Sequence, residues 1–460
     1  MEQKLSDTLL YKKKSVYESA DADRIDSAMK YAEDYKKYLD ASKTEREAVK
    51  ESIALAESFG YSEYFLGDKI SVGDKKYYNN RGKNLFLFSV GSEPINSGIR
   101  ICAAHIDAPR IDLKQCPLYE EDGMAFFKTH YYGGIRKYQW LATPLALHGV
   151  IAKADGSVID VNIGEDDADP VFYINDLLPH LAHKQGKNPL DEAVDGEKLN
   201  ILVGSIPYDE DGERSIKLNV MKILNEKYGV TEDDFLSAEL CVVPAARARD
   251  IGFDRSLIGA YGHDDRVCAY PALTALLDAA DSTHTNLCIL ADKEETGSDG
   301  NSGMQSDLML DLINELAANL GGNPALVRAN SKCLSADVSA SYDPNFPEVF
   351  EKKNAAMLSS GVVITKFTGS RGKSGTNDAS AEFIAYLRSI FAKDSVIWQT
   401  AELGRVDCGG GGTVAKFISK HNIDTIDLGV PVISMHAPYE AISKVDLYEA
   451  YKAMLAFYKY

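Results

Sequence analysis

No stretch of the 460-residue chain approaches the ~20 consecutive apolar residues that a membrane-spanning helix needs. The opening, MEQKLSDTLLYKKK, lacks a long apolar segment and a cleavage-site pattern, so no signal peptide is expected. Basic residues are in short supply: 50 Lys and Arg face 69 Asp and Glu, a net charge of −19. That balance argues against nucleic acid and anionic membranes as partners and favours solubility. The seven cysteines (Cys102, Cys116, Cys241, Cys268, Cys288, Cys333, Cys408) are odd in number and include no CxxC pair. Several lie inside apolar runs, the pattern of a reduced, cytoplasmic protein with mostly buried thiols. Internal repeats and low-complexity tracts are also missing. A phosphate loop is excluded too. TGSRGKSGT contains Gly-Lys-Ser, but Phe367 stands where that loop requires glycine.

What is present is enough apolar material for a large core, 45% of residues. The length allows two or three domains, or one large domain with an insertion. Residues 23–58 are charged, nearly free of breakers and followed by Gly60, which predicts one or two helices. Strands are predicted at 84–91 (NLFLFSVG) and 98–107 (GIRICAAHID). From about 114 to 250 aromatics, glycines and alternating patterns predict antiparallel strands and hairpins. Within that region 191–214 reads as loop and IKLNVMKILNEKYG as helix. Beyond about 252, strands and helices alternate again. The expected division is an α/β domain from 1–113 and 251–460, interrupted by a mainly β module at 114–250.

Four apolar runs end alike. IRICAAH stops at His105, with Asp107 two residues on; NLCILAD runs into Glu294 and Glu295; KCLSAD stops at Asp337; VPVISMH stops at His436. In open α/β sheets functional groups gather beyond the carboxyl ends of the strands. Asp264 and Asp265, in GHDDRV, add a fifth position, although an aspartate before a helix is also an ordinary N-cap. The set His105, Asp264, Glu295, Asp337 and His436 suits zinc, or cobalt and manganese. One ion with an open position needs three protein ligands. Five ligands fit two ions if a carboxylate bridges them. Glu294 would then be free to accept a proton from water and return it to a leaving amine. Asp107 would orient His105 by accepting its second ring N–H. Asp292 has no assigned role.

The segments AAHIDAPRIDLK, GHDDRVCAY, DKEETGS, LSADVSASYDP and VISMHAPYE resemble, in order and spacing, the motif series of the M18 metallopeptidases, the aspartyl aminopeptidase family. YYGGIRKYQWLATPLALHGV resembles that family's inserted module, and Gly409 to Thr413 match its bacterial branch. The resemblance implies an α/β fold, a mixed sheet flanked by helices of the dinuclear zinc-peptidase type, with an inserted, mainly β dimerisation domain. It implies two divalent metal ions per subunit, zinc first and cobalt or manganese as alternatives. His105, Asp264 and Asp337 would hold one; Asp264, Glu295 and His436 would hold the other, with Asp264 bridging. Glu294 would be the general base and Asp107 the partner of His105. It further implies a homo-oligomer, a tetrahedral dodecamer built from dimers, whose enclosed sites admit only peptide substrates.

The same resemblance points to substrate contacts. LLPHLAHKQ puts His180 at a position where the family lends a histidine to a neighbouring subunit, with His183 as the other choice. Arg371 and Lys373 lie in a glycine-rich loop that in the family supplies a basic residue for an acidic first side chain, and an arginine fork suits a carboxylate. Gly410, in DCGGGGTVAKF, would let backbone approach a peptide closely. The expected activity is removal of the N-terminal residue from peptides, with preference for Asp or Glu. The competing expectations are a carboxypeptidase or deacylase on the same metals, and a non-catalytic assembly particle.

Overall fold

The computed structural model describes residues 5, 9–279 and 282–460. After a single helical turn at Val16–Ser19, the N-terminal segment forms two longer helices. Ala22–Ala41 is capped by Asp21, whose side chain accepts the Arg24 N–H. Glu45–Ser58 is opened by a capping box between Thr44 and Glu47. The break at Ser42–Thr44 is therefore chemical: the threonine captures the backbone donors of a new helix instead of extending the old one.

Among the described residues the largest sheet has nine strands. At its centre Thr285–Ala291, Ile99–His105, Lys332–Ala336 and Asp424–Gly429 run parallel, side by side in that order. Asn84–Ser89 flanks them antiparallel on the Thr285 side. Thr285–Ala291 and Ile99–His105 are buried at every position. Continuous apolar strands of this kind need cover on both faces. Alternation sends Cys102 and Ala104 towards one layer, with the helices His263–Asp278 and Lys444–Lys459, and Ile101 and Ala103 towards the other, with Leu308–Asn319. Register pairs Ala291 with His105 and Ser335 with Ala103, which aligns three strand ends at one edge.

A second, seven-stranded antiparallel sheet is built from residues between Arg110 and Pro244 and has its own apolar core. Its strand Arg110–Glu121 begins upstream of residue 114. The helix Ile216–Tyr228 is covered as predicted and ends on Gly229 in the left-handed region. The loop reading of 191–214 is corrected. Ile201–Gly204 pairs with Met124–Tyr132, and Tyr208–Glu210 forms a hairpin with Glu213–Ser215. Four apolar residues between turn formers are too few to betray a strand by periodicity.

A five-stranded sheet joins Leu257–Ala260, Glu440–Ser443 and Pro431–Ile433. His436 lies in the turn between the last two, not at the end of a long strand as the run VPVISMH suggested. The long strand of that segment is Asp424–Gly429, ahead of it. Five cysteines are buried, while Cys116 and Cys408 are exposed. No described helix is long and apolar enough to cross a membrane.

Candidate metal centre

His105 closes its strand almost fully buried. Its Nε2 lies 3.1 Å from Asp264 Oδ1 and 3.9 Å from Asp337 Oδ1. The other Asp264 oxygen lies 3.2 Å from His436 Nε2, and that nitrogen lies 3.7 Å from Glu295 Oε2. Asp264 thus stands between two imidazoles, one facing each oxygen. Two atoms bound tetrahedrally to one zinc at ~2.1 Å sit roughly 3.4 Å apart, and the observed spacings scatter around that value.

The donors also lack other partners. His105 Nε2, Asp264 Oδ1, Asp265 Oδ1 and Glu295 Oε1 are buried with no hydrogen bond. Leaving four such atoms unsatisfied in one place is costly unless a cation takes their lone pairs. The residues therefore fit divalent metal. Asp265 belongs to this cluster more closely than the sequence suggested. Its Oδ2 accepts the His105 main-chain N–H, and its carboxylate groups with His105 and Asp337.

Asp107 meets His105 chiefly through its main-chain carbonyl rather than the carboxylate expected from sequence. The His105 Nδ1 is 3.0 Å from the Asp107 carbonyl oxygen and 3.4 Å from its carboxylate. That carboxylate also accepts the main-chain N–H of Glu294 and of Glu295, each at 3.2 Å, and the Tyr132 hydroxyl at 2.7 Å. The glutamate pair sits on a short 3-10 turn between two left-handed residues, Lys293 and Gly297. Asp107 pins that turn. Asp292, buried beneath it, accepts the Ser302 hydroxyl at 2.6 Å.

Electrostatics follow from crowding. Burial, with Asp107 and Asp264 nearby, pushes Glu294 up to about 7, even though His105 opposes the shift. Burial and the Asp264 charge likewise raise Glu295. Burial and Asp265 raise Asp337. Burial works against ionising Asp264, yet the imidazoles of His105 and His436 beside it hold it below the usual range. His436 is penalised by burial but raised to about 10, first by Asp264 and then by Glu295.

A cavity of about 280 Å³ opens on this cluster and is lined by His105, Asp264, Glu294, Asp337 and His436. Gly410 lines it too. Its φ is +134°, and a Cβ there would meet Ser370 Cα at 2.4 Å, so only glycine fits. Arg371 and Lys373 do not line it. They lie in an adjoining cavity of about 250 Å³ with Arg405, and the two cavities share Thr368, Glu402 and Leu403. Lys373 is a poor candidate for binding substrate. Its ammonium is 3.1 Å from Asp378 and 3.9 Å from the centre of the Phe367 ring. His180 and His183 are exposed on the inserted sheet's loops and line neither cavity.

Sequence reasoning missed Glu440, Tyr132 and Gly134. The buried Glu440 accepts the main-chain N–H of His436 at 2.7 Å and of Asp264 at 3.0 Å. Gly134 offers its carbonyl to His436 Nδ1 at 2.9 Å. Each lies far along the chain from at least one group it serves, and no local spacing announces it.

Comparison with known proteins agrees with this geometry. The family model described as aminopeptidase I zinc metalloprotease (M18) matches residues 38–458. A protein of Clostridium acetobutylicum named as an M18 family aminopeptidase 1 is 49% identical over 459 residues, 98% of each chain. The crystal structure of an M18 aminopeptidase from Thermotoga maritima superposes with a TM-score of 0.93 at 42% identity, covering 98% of this chain and 100% of that one. A yeast aminopeptidase described as a dodecamer shares the fold at TM-score 0.76 and 20% identity, over 94% and 96% of the two chains. The matched motifs, the strand-end donors and the unsatisfied buried atoms converge on one conclusion: this chain belongs to the M18 zinc metallopeptidases and is a metal-dependent aminopeptidase.

Proposed function

We propose that the protein removes the first residue of peptides with two divalent ions, zinc by family, and Glu294 as the proton carrier. His105, Asp264 and Asp337 would hold one ion, and Asp264, Glu295 and His436 the other. The observation that carries this reading is Asp264 itself, whose two oxygens face two different imidazoles at 3.1 and 3.2 Å. Bound metal would polarise the scissile carbonyl and lower the pKa of the attacking water. Glu294 takes the water's proton and delivers it to the leaving amine, its place in the lining of the cavity beside His105 and Asp264 suiting it to both transfers. Asp107 keeps His105 and the glutamate turn in register. Glu294→Gln should retain zinc and lose turnover by about 10²-fold or more. Chelator-resistant activity, or a fully active Glu294→Gln, would overturn the reading.

For the first side chain, the proposal is an acidic residue that passes Thr368 and Leu403 to reach Arg371 in the adjoining cavity. Support is the continuity of the two cavities, which share Thr368, Glu402 and Leu403, and the place of Arg371 in the lining of the second. A second reading has its own observation: the cavity over the metal site has no Lys or Arg in its lining and includes Val338, Leu403 and Met435. That lining suits a neutral side chain. Asp and Glu amides compared with Leu and Met amides decide between them, and Arg371→Ala should weaken only the acidic ones. An amino-blocked peptide should resist cleavage, which separates this activity from that of a carboxypeptidase or deacylase.

The proposal also takes 114–250 as a dimerisation module and the assembly as a dodecamer. It is supported by an apolar groove of about 750 Å³ on the inserted sheet, beside exposed Val171 and Ile223. Mass photometry tests it.

A further inference from the structure

The inserted sheet does not merely adjoin the metal centre. Its strand Met124–Tyr132 runs into Gly133 and Gly134, and this short segment touches the centre at three points. The Tyr132 hydroxyl donates to Asp107 Oδ2 at 2.7 Å. Gly133, at φ +75°, lies so close to Glu295 that an added Cβ would be 3.3 Å from that residue's Cβ and Oε2. The Gly134 carbonyl accepts from His436 Nδ1 at 2.9 Å.

These contacts are held from behind. The Arg110 guanidinium lies 4.2 Å from the centre of the Tyr132 ring. The same guanidinium is fixed by Glu45 and Asp112, each at 2.8 Å. Tyr132 therefore cannot rotate away without disturbing an ion-pair network that reaches the helix Glu45–Ser58. On the far side Asp107 passes the constraint on, because its carboxylate holds the N–H groups of both glutamates and lies against His105.

We propose that Tyr132 and Gly134 of the inserted sheet are positioning residues for the metal centre, Tyr132 acting through Asp107 on His105 and the glutamate turn, and Gly134 acting directly on His436. This rests on the dinuclear reading above. A metal-bound imidazole needs its second nitrogen fixed, and loss of such outer partners lowers metal affinity or activity on the order of 10- to 100-fold. Tyr132→Phe keeps the ring against Arg110 and deletes only the donor. Gly134→Ala would place a Cβ 3.3 Å from His436 Nδ1 and crowd that imidazole.

The test uses the full-length protein, wild type and both variants, with Tyr131→Phe as control. Three quantities are read: zinc affinity by competition with a chelating dye, the visible absorption of the cobalt(II)-loaded protein, and kcat and KM for an aminoacyl amide. For Tyr132→Phe the expected result is zinc affinity and kcat lower on the order of 10-fold, KM within about twofold, and an altered cobalt spectrum. Tyr131→Phe should match wild type. A Tyr132→Phe protein with wild-type affinity, spectrum and kcat would overturn the proposal. Should Tyr132→Phe fail to fold, Gly134→Ala carries the test by the same affinity and spectrum, and wild-type values there would overturn it. If wild type itself binds no zinc and resists chelators, the dinuclear reading fails first; if wild type binds zinc and both variants equal it, only this inference fails.

Discussion

Glu440 gives its two carboxylate oxygens to the main-chain N–H groups of Asp264 and His436, the two residues that face each other across the centre. Burial, and then the Asp264 charge, push it up to about 8. Glu440→Gln would turn an NH₂ group towards one of those N–H donors. Zinc affinity should fall on the order of 10-fold with the ligands untouched, as isothermal titration would show. Asp264→Ala removes the carboxylate shared by both imidazoles, and metal analysis should find bound zinc reduced by more than half. The residues proposed to hold metal stood out in the sequence because each ends an apolar run or opens a helix. The residues that hold the ligands did not. Tyr132, Gly134 and Glu440 act over contacts between distant segments, and a tyrosine or glycine in a strand has many ordinary reasons to be there.

The paired helices at the N-terminus show how an element is tied to its surroundings. His148, on strand Leu145–Ala152, lies almost fully buried between Glu47 of the second helix at 2.8 Å and Glu165 at 3.0 Å. Lys43, in the break between the helices, pairs with the same Glu165 at 2.6 Å. Burial disfavours the His148 cation, but Glu165 and Glu47 more than offset it, so its pKa is raised above 6.5. A raised histidine stabilises the fold fully below its unfolded pKa, and that stability is lost as pH rises through the folded value. Glu47 and Glu165 are lowered, with the opposite sign: their contribution is present above about 4.5 and is lost on acidification. The contact should be strongest between about pH 4.5 and 6.5. Thermal melts from pH 6.5 upward should decline in wild type and flatten in His148→Gln, which should itself cost about 2 kcal/mol at pH 6. Thr44→Ala, which breaks the capping box, should cost about 1 kcal/mol in the same melts. The two helices were foreseeable from composition, and their break was not, since Ser42–Thr44 looks like any polar stretch until its side chains bond backbone. The strand Ile201–Gly204 was hidden for a different reason: its partner lies about 75 residues away in sequence, and pairing rather than pattern makes it a strand.

Over the whole molecule, the central strands Ile99–His105 and Thr285–Ala291 were recoverable because they are buried on both faces and read as apolar runs, whereas Asp424–Gly429 was not, since two aspartates interrupt it. How the inserted sheet docks against the catalytic sheet was not recoverable, since that depends on a few polar contacts such as Arg110 to Glu45. One consequence concerns descent. A β insertion used for assembly would ordinarily be free to drift as subunit contacts change from lineage to lineage. Here residues 132–134 contact Asp107, Glu295 and His436, all outside that sheet. In an alignment of M18 proteins whose insertions have diverged, Tyr132 and the two glycines should stay fixed while the exposed faces around Val171 and Ile223 vary. The insertion would then carry two evolutionary clocks, a slow one at the corner that meets the metal and a fast one everywhere else.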